Sequence, residues 1–200
     1  MAGPRGWEAA AHELLVRLAG RLPDDVSWRL RDWVAAGAAD SVAALLPRAL
    51  LRNRIGLTDG ERALLATAAG DSRLVDAVLP QSADVAVPPF SPGPELPDLA
   101  LMGAMAVVAG HPGAEELRDS RRGPQRVLVV SGAFAAGRPY PPAVLTGTLQ
   151  RLLRVHGDRT PCVEVLPADL EPPAYHQAAI VGSRPVWTAP SRPGVLSPTS

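Results

Sequence analysis

The chain contains no lysine; all 20 of its basic residues are arginine. A GC-rich genome, such as an actinobacterium's, accounts for that bias and for the abundant Ala, Gly and Pro more simply than selection for bidentate arginine contacts does. The arginines are matched by 20 acidic residues, so no net field draws the chain to nucleic acid or anionic lipid. Aromatics make up 4% of the residues and form no series on which bases could stack. The only cysteine, Cys162, excludes an intrachain disulfide and a cysteine-based zinc site. No long hydrophobic run is present: the longest, Leu99 to Ala109, is about half of what spans a bilayer. The opening MAGPRGWEAAAHELL places Glu8 and Glu13 inside its apolar run and lacks a signal-peptide core. These absences lead to the expectation of a cytoplasmic protein with no nucleic-acid, membrane, metal or cofactor partner.

What is present can fold. Hydrophobic residues are 46% of the 200, enough for one medium domain or two small ones. Trp7, Ala11, Leu14, Leu15, Leu18 and Leu22 keep the helical period and predict a helix near 6–20. Pro23 and Asp24/Asp25 stop it and are expected to cap a second, with Val26, Leu30, Trp33 and Val34 on one face and Gly37 as its stop. Asp40 is expected to cap a third helix, along Val42, Leu45, Leu46 and Ala49, that kinks or breaks at Pro47. Thr58 and Glu61 have capping-box spacing ahead of Leu64, Leu65 and Ala68. Gly70 ends that helix, and Asp71 caps a short last one through Leu79. Four to six short helices over 1–80 suggest a bundle.

Residues 81–97 carry five of the chain's 22 prolines and read as a semi-rigid extended linker. Beyond it, Asp98 caps LALMGAMAVVAG, and GAEELRDS reads as a second short helix. Arg126 to Val130 is a continuous β-branched run, the pattern of a buried strand. Pro141/Pro142 open a helix, Cys162 to Leu166 is another strand, and Gln177–Val181 with Val186–Thr188 suggest a third and fourth. The expected fold class is α+β: the bundle, then a small α/β unit of three to four strands over 98–189, docked through the Leu99–Ala109 helix. A disordered tail is expected over 190–200.

Candidate chemistry is sparse. Gly132-x4-Gly137-Arg138 after a strand has the outline of a phosphate loop. It lacks the Lys and Ser/Thr that such a loop needs, and Pro139, Pro141 and Pro142 remove amides. His12, His111, His156 and His176 show no metal-ligand spacing, and His12 lies off the apolar stripe of its helix, which predicts solvation. Cys162, opening a buried strand, reads as a small core residue rather than a nucleophile. Trp28 falls about 200° from Val26 on the helical wheel. Either that helix is buried on both sides or Trp28 faces a partner. Tryptophan and arginine are the residues enriched as interface anchors, which singles out Trp28, Arg31, Arg48 and Arg52 as a candidate protein interface.

Residues 30–69 carry Val34-Ala-Ala-Gly37, Ala43/Ala44, Leu45, Leu50/Leu51, then Ile55-Gly-Leu-Thr58 with Glu61 and Leu64/Leu65. In that order they resemble the helical core of Maf-type small immunity proteins, which neutralise bacterial polymorphic toxins. Pro47, and an alanine after Gly37 where an acid is frequent, depart from the family pattern. The resemblance implies a non-enzymatic role bound to another protein. The function expected is therefore a protein-interaction module, an immunity or conflict-system accessory, with self-association also open. The rivals are an enzyme or nucleotide-binding module sited near Gly132–Arg138, and a structural subunit of an assembly.

Overall fold

Of the caps expected in the bundle, one forms among the described residues: Asp24, Asp25 and Asp40 lie inside the first turns of their helices, where Pro23 and Ala38 take the cap positions with no side-chain hydrogen bond, whereas the Thr58 cap is made. The Glu61 amide donates to Thr58 Oγ1 at 3.2 Å and the Thr58 amide donates back to Glu61 Oε2 at 3.0 Å, completing the capping box. Asp98 accepts from the Leu101 amide at 2.8 Å and starts its helix the same way. The computed structural model describes residues 6–70, 73–81, 86–137 and 139–190, and the expected cap at Asp71, Arg138 and the tail from 191 lie outside them.

Among the described residues there are eight helices and five strands, an α+β chain. The helical half comprises α1 (Trp7–Arg17), α2 (Asp24–Ala35), α3 (Ala39–Arg52), α4 (Asp59–Ala69) and the single turn α5 (Arg73–Asp76). The second half runs β1 (Ser91–Pro92), α6 (Leu99–Ala109), β2 (Ala114–Arg122), β3 (Gln125–Gly132), α7 (Pro141–Val155), β4 (Cys162–Pro167), α8 (Ala174–Val181) and β5 (Arg184–Thr188). β2 is antiparallel to β3 on one side and to β1 and β5 on the other, while β3 and β4 are parallel with α7 between them.

Four expectations are corrected. GAEELRDS is strand β2, not a helix. Gly123 at φ +57° and Pro124 form a two-residue connection to β3, the geometry a twisted hairpin favours, and pairing on both edges overrides the helical bias of Glu-Glu-Leu-Arg. Gln177–Val181 is the end of α8, not a strand; a five-residue apolar run carries no decisive period, and Pro172/Pro173 supply a helix start. Of the kink or break expected at Pro47, the break does not occur: α3 passes through it as one helix. The linker is not free of regular structure, because Ser91 and Pro92 pair with Arg121 and Ser120. Phe90 beside them packs edge-on against Tyr175, ring centroids 5.1 Å apart.

The sheet separates two apolar layers by the alternation of a strand. Leu128, Val130, Val163 and Val165 face α6 and α7. Val127, Val129, Cys162 and Leu166 face the other way, towards Val16 of α1 and Ala179 of α8. The helical half meets the second half through α1 and α2, which contact α7 and β4, rather than through α6. Ala143 and Tyr140, at the start of α7, belong to the same apolar cluster as the bundle core. β4 has β3 as its one strand neighbour, so α1 and α2 cover an edge that would otherwise expose unpaired backbone.

Candidate functional site

Glu164 is the single charged residue in the strand CVEVLP. Strand alternation places it on the face of Cys162 and Leu166, under α1, α2 and α8. Arg31 of α2 reaches it there, with Nη2 2.7 Å from Glu164 Oε2 and also donating to the Leu15 carbonyl at 3.2 Å. His176 of α8 brings Nε2 to 2.9 Å from the same oxygen. On the next residue of β4, the Val165 carbonyl accepts from His12 Nε2 of α1 at 2.9 Å. Arg31, Glu164, His12 and His176 are each 4% exposed or less. A second tie lies nearby: Arg122 of β2 pairs with Asp24 at the start of α2 and donates to the Tyr175 hydroxyl at 3.2 Å.

Burial sets the protonation states. It drives the His12 imidazole down to about 4, against the opposing pull of its Val165 bond, so His12 is neutral near pH 7. Burial alone would raise the Glu164 carboxyl, but Arg31 and then His176 outweigh it and hold it below the usual carboxylate range. Burial pushes the Cys162 thiol and the Tyr175 phenol up, so neither ionises at neutral pH. The joint thus holds a guanidinium against a carboxylate, two histidines and a protonated thiol, all closed to solvent. It can fasten the two halves together; it offers a substrate no approach.

The four expected interface residues separate. Arg48 and Arg52 are exposed on α3 as the helical period implied. Arg31 is not available to a partner: its position on α2 turns it onto β4, where Glu164 neutralises it. Trp28 is half-buried, and its ring carries the Arg154 guanidinium of α7 at 4.3 Å from its centroid, so its occupant comes from this chain. His12, expected in solvent, is a buried clasp on β4. In a double-mutant cycle, Trp28→Ala with Arg154→Ala should show a coupling of about 0.5–1 kcal/mol in urea unfolding. Additive costs would mean that the two side chains are neighbours without interaction.

Among the described residues, two features of the loop after β3 oppose a phosphate cradle. A Cβ on Gly132 would lie 2.1 Å from the Gly113 carbonyl oxygen, so this glycine serves the closure of β2 on β3. The Tyr140 amide donates at 2.8 Å to the Glu8 carboxylate, occupying the place an anion would need. Gly137 and Tyr140 do line a cavity of about 510 Å³ at the carboxyl ends of β3 and β4, with Glu13, Arg17, Asp169 and Glu171 around it. Crevices at that end of parallel strands commonly take ligands. Its charged lining is three carboxylates against one arginine, an acidic balance that repels phosphate, and Glu13 is paired with Arg17 at 2.8 Å. Among the described residues no group of three or more His, Cys, Asp or Glu is placed to hold a metal ion. No helix among them is long and apolar enough to cross a membrane.

The joint residues Glu164, His176 and His12 were missed as a group because they come from three distant segments. One signal was present: a lone acid within CVEVLP must find a cation or stay uncompensated in the core. Which arginine answers it is not written in the spacing. Comparison with family models, curated proteins and solved structures finds no match for this chain.

Proposed function

We propose that this chain is a non-catalytic protein-interaction module, a cytoplasmic immunity or conflict-system accessory that works by binding another protein. The observation that carries the reading is the fate of its reactive groups. Cys162, His12, His176, Glu164 and Arg31 are packed into the joint between the halves, where they serve cohesion and meet no substrate. The resemblance of residues 30–69 to Maf-type immunity proteins supplies the immunity role, and the exposed Arg48 and Arg52 lie within that segment. The nucleotide-binding rival is supported less, because Glu8 takes the Tyr140 amide in the loop it needs.

Capture of the bound protein from the native host, followed by co-expression with it at a growth-inhibiting level, tests this directly. Growth should be rescued, and the chain should co-purify with that protein as a stoichiometric complex. Rescue should survive Cys162→Ser, which removes the one thiol while leaving the volume nearly unchanged. Loss of rescue in a Cys162→Ser variant that folds normally would sink the non-catalytic reading, as would turnover of the toxin without a lasting complex.

A further inference from the structure

α6 is built unlike the other helices. Its eleven residues, LALMGAMAVVA, include no charged or hydrogen-bonding side chain. A helix that is apolar all round belongs in a core, yet α6 covers the sheet and α7 with one side only. Ala100, Leu101, Ala104 and Val108 are buried there, and Gly103 abuts Leu152 of α7, whose side-chain carbons lie 3.2 Å from an ideal Cβ. The outer side shows Leu99 at 71% and Met102 at 49% exposure, then Ala106 and Ala109, both exposed. These four are spaced 3, 4 and 3 residues apart, the spacing of a helix-packing seam.

The seam tapers, and its taper is its own complement. Leu99 and Met102 are large and occupy the first half; Ala106 and Ala109 are small and occupy the second. An antiparallel copy centred on Ala104 sets Leu99 against Ala109 and Met102 against Ala106 in every layer. Large meets small at each step, which is how facing helices interdigitate without voids. A parallel copy would set Leu99 on Leu99 and Ala109 on Ala109, jamming one end and leaving the other open. No charge stands in the seam to be buried. The N-terminal end carries more apolar surface: Leu96 is 85% exposed, and so is Val155, at 83%, one turn past Leu152 on α7.

We propose that the outward face of α6 is the contact for a second copy of this chain, packed antiparallel about a two-fold axis at Ala104. The interface is isologous, each copy presenting one patch to the same patch. A single helix pair with its flanks falls short of the roughly 1,200–2,000 Å² of a standard stable interface, so the dimer expected is a reversible one. The proposal is independent of the conflict-system role, since rescue by a monomer would leave that role standing.

Sedimentation of the full chain from about 1 to 500 μM should resolve this monomer–dimer equilibrium. Met102→Glu should weaken it at least tenfold while leaving the far-UV spectrum of the monomer unchanged, because the side chain points outward. Under mild oxidation, Leu99→Cys/Ala109→Cys should give a covalent dimer, whereas each single substitution should not; Cys162 is buried and takes no part. A chain that stays monomeric throughout overturns the proposal. So does a dimer that Met102→Glu leaves intact, or covalent dimers formed as readily by Leu99→Cys alone, the signature of parallel packing.

Discussion

Replacing Arg31 with alanine should destabilise the protein by about 3–5 kcal/mol, because it leaves the Glu164 carboxylate buried with no cation beside it. Loss of the bond to the Leu15 carbonyl adds to the cost. Guanidinium unfolding at pH 7 would read the change as a shift in midpoint at nearly constant slope. The companion variant is Arg31→Met/Glu164→Leu, which removes both charges and keeps most of the volume. It should recover most of the loss, since a buried ion pair often contributes little over well-packed apolar residues. Its residual deficit is the partner that His176 loses at Glu164 Oε2. A double variant as unstable as Arg31→Ala would mean that packing of the guanidinium stem, not charge, is what α2 supplies. A cost under about 1 kcal/mol for Arg31→Ala would remove the joint as a stabilising feature.

Acid should loosen the same joint through His12 and Glu164. His12 has a pKa of about 4 in the fold, against an ordinary value of 6.5. Its folded value is depressed, so the unfolded chain binds the proton first and stability falls as pH drops from 6.5 towards 4. The interval corresponds to about 3 kcal/mol, most of it gone by pH 4. Glu164 is also depressed; its contribution is present above the ordinary carboxylate range and is lost as pH falls through its folded value. Asp119 works in the opposite direction. Burial raises its carboxyl, so protonation favours the folded chain and softens the acid loss. Unfolding free energies measured between pH 7.5 and 4 should therefore slope downward in the wild type. His12→Gln keeps a donor for the Val165 carbonyl and does not titrate in this range. The difference between the two curves should shrink by about 3 kcal/mol across the window, and parallel curves would contradict the placement of His12.

The elements readable in advance are those whose cause lies within a few residues. The capping box at Thr58 and Glu61 and the Asp98 cap each satisfy a helix end with their own atoms, and Pro141/Pro142 start α7 by lacking the donors that would need a partner there. The run Arg126–Val130 reads as a buried strand because β-branched residues without a polar face suit a strand covered on both sides. The errors fall where local preference is weak and the partner is remote. Glu115-Glu-Leu-Arg118 is locally helical but lies between β3 and β5, whose hydrogen bonds outweigh a fraction of a kcal/mol per residue in propensity. Ile180 and Val181 suit a strand equally well, and no edge is offered to them.

The polar joint shows the limit most clearly. His12 falls off the apolar stripe of α1, which in an isolated amphipathic helix means solvent. In the fold that flank of α1 is covered by the edge of β4, so the off-stripe histidine becomes a clasp on the Val165 carbonyl. Trp28 has the same history: it lies opposite the core face of α2, and α7 supplies the Arg154 that covers it. Both are consequences of the helical half wrapping the second half on two sides, which no periodicity within one helix encodes.

By itself, then, the sequence determined an α+β chain: where most helices begin and end, and that β3 and β4 are buried strands. These follow from hydrogen bonds and side-chain periods that close within four or five residues. It also determined that the acid in CVEVLP would need a partner, because an unpaired buried charge is too costly to survive. Only the tertiary structure decided that the partner is Arg31, that His12 and His176 join it, that GAEELRDS is a strand, and that no other described element covers the outward face of α6. The Arg31 and His12 contacts join residues more than a hundred apart in the chain, while the His176 bond and the β2 pairings span less; all are set by the packing of whole elements rather than by any local pattern.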